Sequence, residues 1–126
     1  MIDSILAFLS YLGTSVVLLL AFVWIYARAM PYKEFALIAH DNNAAAIALA
    51  GAVIGFTLPL VAAIYFTQSL LEMVVWAAIT CVVQLCVFLV LRKQAKRIEE
   101  GHVSSAVMVA TFSVAVGLLN AASISV

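Results

Sequence analysis

Four long stretches of the chain are almost free of polar residues. They run from Ile5 to Ala29, Ala44 to Phe66, Leu70 to Leu91 and Val103 to Val126. Each has roughly the 20 residues a helix needs to cross about 30 Å of hydrocarbon. The third carries one charge, Glu72, near its start. None has the broad polar face that a helix at the surface of a soluble bundle turns to water. A helix satisfies its own backbone hydrogen bonds inside lipid, so each stretch is predicted to span as a helix. The expected fold class is all-α, a polytopic membrane protein with four transmembrane helices.

Composition agrees with the pattern. Of 126 residues, 67% are hydrophobic and only 10% charged, where a soluble domain carries about 25% charged residues. The first span is not a cleaved signal peptide: Asp3 precedes it rather than a basic residue, and it exceeds the roughly 7–15 apolar residues of a signal h-region.

The net charge is zero, which points to no nucleic-acid partner, so placement matters more than the sum. Arg28 and Lys33 follow the first span; Arg92, Lys93, Lys96 and Arg97 follow the third. The connection Thr67 to Ser69 and both ends have no Lys or Arg. Basic residues collect on cytoplasmic segments beside spans. Segments 30–43 and 92–102 are therefore expected in the cytoplasm, with both termini periplasmic. Arg28, Arg92 and Lys93 also suit helix carboxyl ends, and Asp41, Glu99 and Glu100 suit the approach to amino ends. Asp41, Asn42 or Asn43 can cap the second span. Pro31 disfavours helical geometry at Met30, so the first helix should end near there.

The chain resembles a doublet. Units 1–69 and 70–126 each consist of a span, a basic turn and a small-residue span. "DNNAAAIALAGAVIGF" aligns with "GHVSSAVMVATFSVAV" at an offset of 60 residues, while "GAVIGF" aligns with "SVAVGL" at 62. The register stays open between the two. A tandem two-helix repeat crosses twice per copy, which implies a pseudo-twofold axis along the membrane normal.

Small residues mark the even spans. Ala44, Ala48, Gly51 and Gly55 form one stripe, and Ala106, Ala110, Ser113 and Gly117 form another. Such stripes let helix backbones approach closely in lipid. Ala63 is off the stripe, and enlarging it is expected to be milder. Pro59 removes a donor and leaves the carbonyl of Gly55 without its usual partner, predicting a kink. At about 1.5 Å per residue, Pro59, Thr57, Asn120, Thr14 and Ser15 share one depth, and Gln84 falls level with Gly51. Thr57, Gln84 and Asn120 could line a polar path or form interhelical hydrogen bonds.

Reaction chemistry is not evident. No Asp, Glu, Lys, Arg or His stands mid-span, where proton-coupled exporters and pumps usually carry one. Cys81 and Cys86 are spaced by five and suit packing rather than a redox pair. His40 and His102, with Asp41, Glu99 and Glu100, have no established metal-ligand spacing. There is no glycine-rich phosphate loop and no nucleophile motif. The expectation is no enzyme, no cofactor and no metal.

"PYKEFALIAHDNNAAAIALAGAVIGFTLPL", Trp76, Gln84 and the closing "GLLNAA" at 117–122 resemble a bacterial inner-membrane family, the domain-of-unknown-function family numbered 350, with its YjfL-like members. The resemblance covers nearly the whole chain. It implies two copies of a two-helix domain in the bacterial inner (plasma) membrane. The family often has Gly-Asn at the start of each even span; here those pairs are Asp41-Asn42 and Gly101-His102. Relatives often neighbour genes for envelope-stress or peptide-ligase-like proteins, which hints at a cytoplasmic or envelope-stress protein partner. Two functions follow as expectations. One is a scaffold that forms a homo-oligomer through small-residue faces and presents basic turns to partners or membrane lipid. The other is a small oligomeric channel or transporter for a neutral or small solute.

Overall fold

The computed structural model describes residues 1–29, 34–67, 69–91 and 94–124. Its elements are α1 (Ile2–Ala29), α2 (Glu34–Ala39), α3 (Asn43–Thr67), α4 (Leu70–Val90), α5 (Ala95–Glu99) and α6 (Val103–Ile124). Four of them, α1, α3, α4 and α6, are long and apolar enough to cross a membrane. The two short helices α2 and α5 occupy stretches that the hydropathy pattern leaves as loops.

Local chemistry sets the ends of the long helices. Asn42 caps α3: its side-chain oxygen accepts the Ala45 N–H at 3.0 Å. Ser69, in extended backbone, caps α4 by accepting the Glu72 N–H at 3.4 Å. Ser69 and Glu72 have the spacing of a capping box. Glu72, the one charge of the third span, therefore belongs to its first turn. At the other end of α4, the Leu91 N–H folds back onto the carbonyls of Val87 and Phe88.

Helix α3 is the centre of the molecule. Ala44, Ala45, Ala48, Ala52 and Ala63 on it are fully buried. It packs along α6, and residue pairs rise together from the start of each, so the two are parallel. α4 covers one side of this pair and α1 lies against α3 and α4. α1 is held by aromatic rings: Phe22 stacks on Phe56 at 4.4 Å between centroids, and Tyr26 meets Phe88 edge-on at 6.5 Å. Phe22 and Tyr26 are its buried residues, and none from 1 to 20 is buried.

Candidate functional site: a small-residue seam between two matched turns

The α3–α6 seam is built from residues too small to keep backbones apart. A methyl group added at Gly51 would overlap Ala110; one at Gly55 would overlap the Ser113 carbonyl. One at Gly117 would come within 2.7 Å of the Gly55 Cα. Ala44, Ala48 and Ala106 are fully buried, Ser113 is buried and Ala110 is half-buried. Side chains of ordinary size cannot occupy these three glycine positions without moving a helix backbone. Ala63, off the stripe, is also fully buried. The expectation that enlarging it would be milder therefore loses its basis, because burial on α3 extends beyond one stripe.

Polar groups of the spans are spent in short-range bonds. Gln84 donates through Nε2 to the Ser113 carbonyl at 3.1 Å. Its Oε1 is buried without a partner among the described residues. Asn120 donates to the Thr80 hydroxyl at 3.1 Å; Thr80 is buried and the sequence reading missed it. Polar residues at matching depth on neighbouring spans could have identified it. Thr57 turns back to the Val53 carbonyl of its own helix at 2.8 Å. Ser15 likewise bonds Tyr11 O at 2.6 Å and touches the Met73 sulfur at 3.8 Å. Gln84 and Asn120 thus join α4 to α6, while no bond links Thr57 to either of them.

Gln84 stands beside Gly55, with Nε2 2.7 Å from where a Gly55 methyl would be. That is one turn beyond Gly51, where depth counting placed it. α3 and α4 are pinned together at their tight connection, so depth is set from there rather than from their distant ends. Pro59 is buried inside α3, which continues helically from Asn43 to Thr67.

The turns that precede α3 and α6 close with the same pair of backbone bonds. The Asn42 N–H reaches Leu37 O at 2.9 Å and the Asp41 N–H reaches Ile38 O at 3.0 Å. Sixty residues on, His102 N–H reaches Arg97 O at 2.9 Å and Gly101 N–H reaches Ile98 O at 2.9 Å. Both are Schellman motifs, which place one left-handed residue after a helix. Those residues are Asp41, at φ 63°, and Gly101, at φ 90°. A glycine is unstrained there and an aspartate is not. This explains why Gly-Asn suits the position: glycine closes the short helix and asparagine opens the long one.

Asn42 does more than cap. Its Nδ2 donates to Ile98 O at 3.2 Å and Glu99 O at 3.1 Å, tying the first turn to the end of α5. His102, at the equivalent step, makes no side-chain hydrogen bond among the described residues. The turn correspondence uses the offset of 60. In the seam, Ala44, Ala48, Gly51 and Gly55 correspond to Ala106, Ala110, Ser113 and Gly117 at 62. Two residues amount to about 3 Å of rise and 200° of rotation on a helix. One symmetry operation therefore cannot superpose both the turns and the seam.

Among the basic residues, Arg28 lies over the Trp24 ring at 4.9 Å. Arg97 donates from Nε to the buried Ser105 hydroxyl at 2.8 Å, anchoring α5 to α6. Lys96 is exposed. Lys33, Arg92 and Lys93 lie outside the described residues. No group of three or more His, Cys, Asp or Glu able to hold a metal occurs among the described residues.

Comparison with known proteins finds relatives of the chain by sequence. The chain is 31% identical over 125 residues to the UPF0719 inner membrane protein YjfL of Escherichia coli K12, covering 96% of this chain and 95% of that protein. The YjfL protein of Escherichia coli O157:H7 gives the same figures. No solved structure matches significantly. The family described as Domain of Unknown Function (DUF350) matches residues 1–124. With four helices of spanning length and a family match from end to end, the chain belongs to the DUF350 family and is a multi-pass inner-membrane protein.

Proposed function

We propose that this protein is a self-associating scaffold of the inner membrane, with periplasmic termini and basic turns facing cytoplasmic partners and anionic lipid. The observation that carries this reading is the use of the span polar groups. Gln84 and Asn120 bond neighbouring helices, and Thr57 bonds its own. These three were the candidates for a solute path, and each already has a bond within the protein. Glycines in the seam bring the backbones together, which favours rigid packing over a wet passage. The absence of a charged mid-span residue also leaves no group to couple transport to protons.

Purified protein in liposomes tests the reading. It should pass neither ions nor small uncharged solutes, and should cross-link to itself in the membrane. Reproducible flux that is lost in Gln84→Leu or Asn120→Leu would establish the transporter instead. A reporter active only in the cytoplasm, fused after Val126, should be silent; a signal would reverse the orientation.

A further inference from the structure

α4 fills one side of the α3–α6 pair. On α6 it faces Phe112 and Val116 across a shared groove with Val83 and Val87. On α3, Phe56 turns toward α4 and α1 beside Val74 and Ala77. The seam relates α3 to α6 at an offset of 62, and that relation carries each of these residues to a partner on the other helix. Phe112 corresponds to Ala50, Val116 to Ile54, and Phe56 to Leu118. Ala50, Ile54 and Leu118 all line a groove on the opposite side of the seam, with Ile47, Thr111 and Val114. This groove is apolar, open and about 560 Å³ in volume. It is the seam's counterpart of the α4 seat, and no helix among the described residues fills it.

The counterpart of α4 in the two-helix repeat is α1. In this chain α1 is pinned to the α4 side by Phe22 on Phe56 and Tyr26 on Phe88, so it cannot reach its own vacant seat. Its outer surface is left bare: Val17, Leu20 and Trp24 are each at least 60% exposed. One chain therefore has an empty helix seat and a helix with an uncovered face of the type that fits it. We propose that the groove beside Ala50 and Thr111 receives α1 of a second copy of this chain. The inference rests on the self-associating reading above and names its interface. Depth agrees: Leu20 and Ala50 each lie within about three turns of the helix ends that adjoin the basic turns.

Two experiments test it. In the first, two chains are co-expressed, both with Cys81→Ala and Cys86→Ala; one carries Leu20→Cys and the other Ala50→Cys. Oxidation in the membrane should give a disulfide-linked dimer. Moving the second cysteine to the α4 face, as Leu89→Cys, should give at least tenfold less. In the second, Thr111→Trp fills the groove, and native mass spectrometry from lipid nanodiscs reads the assembly. Wild type and Leu89→Trp should be multimeric and Thr111→Trp monomeric. A wild type that is monomeric, with lipid in the groove, would overturn both self-association and the interface. A multimer unaffected by Thr111→Trp, with no Leu20–Ala50 cross-link, would keep self-association and overturn only the interface. If Thr111→Trp fails to fold, the cross-link decides alone: its presence supports the proposal and its absence overturns it.

Discussion

Gly13 and Gly55 are both glycines inside spanning helices, yet their surroundings differ completely. A methyl group at Gly13 on α1 would have nothing within 4 Å. One at Gly55 on α3 would overlap the Ser113 carbonyl and crowd the Gln84 amide. The contrast shows how unevenly this protein is held together. The α3–α6 seam depends on backbones meeting, where no side chain can yield. α1 buries only two aromatic anchors near its carboxyl end, with Tyr11, Leu18 and Leu19 half-buried against the core and the rest of its outer face exposed. A small residue in a membrane helix thus has meaning only through what packs against it.

The sharpest test exchanges the two environments. Gly55→Leu should destabilise by at least the roughly 1–3 kcal/mol typical of overpacking, because backbone as well as side chain must move. Gly13→Leu should change unfolding in detergent by less than about 0.5 kcal/mol, as exposed substitutions usually do. Equal losses at both positions would remove the distinction between seam and free helix.

The two turns offer a second comparison. Asn42→Ala removes an α3 cap, which alone is worth about 0.5–2 kcal/mol, and both bonds to α5. A loss of about 2 kcal/mol is expected, with faster amide exchange at the start of α3. His102→Ala, at the same step of the second turn, should leave both quantities nearly unchanged. If the histidine variant were the more damaging, the clamp would belong to the other turn.

Smaller effects are expected within the spans. Asn120→Leu breaks the bond to Thr80 and should lose about 0.6 kcal/mol, the average for such bonds in membranes. Gln84→Leu breaks a bond too, but it also removes a buried acceptor that lacks a partner among the described residues, an arrangement that is itself destabilising. Its net change should be smaller than that of Asn120→Leu. Thermal unfolding of the pair in one detergent checks the order.

One change should have the opposite sign. Asp41→Gly relieves a left-handed backbone at a position where Gly101 is already relaxed. A gain of up to about 1 kcal/mol is expected, since the left-handed region costs most residues roughly 1–2 kcal/mol and aspartate somewhat less. A loss instead would mean that the Asp41 side chain contributes more than its backbone strain.

Much of this was legible in the chain. Hydropathy located all four spans to within a few residues, because lipid demands about 20 apolar residues whatever their neighbours. Asn42 was one of three possible caps, and its side-chain bond from the Ala45 N–H, with Asp41 left-handed before it, assigns the role to Asn42. The short helices α2 and α5 were not legible, since each has too few residues for a periodic signal. Thr80 was missed because a threonine amid apolar residues looks like packing until Asn120 is placed beside it. The spacing of Ser69 and Glu72 fits a capping pair, but a lone glutamate at the start of an apolar run does not by itself mark where the helix begins.

The sequence by itself determined the solvent of this protein and the number of its crossings. Both follow from summed hydrophobicity and length, which need no knowledge of neighbours. It also determined that α3 and α6 carry small faces, because helical spacing is local. Which face meets which helix was decided only by tertiary structure. The turn bonds recur at an offset of 60 residues, while the small-residue faces of the seam correspond at 62. Turn geometry is governed by consecutive residues and keeps the offset of 60. The seam is governed by where two backbones can come closest, and Ala110, Ser113 and Gly117 allow that only two residues farther along. The same close approach leaves one side of the seam to α4 and the other side open.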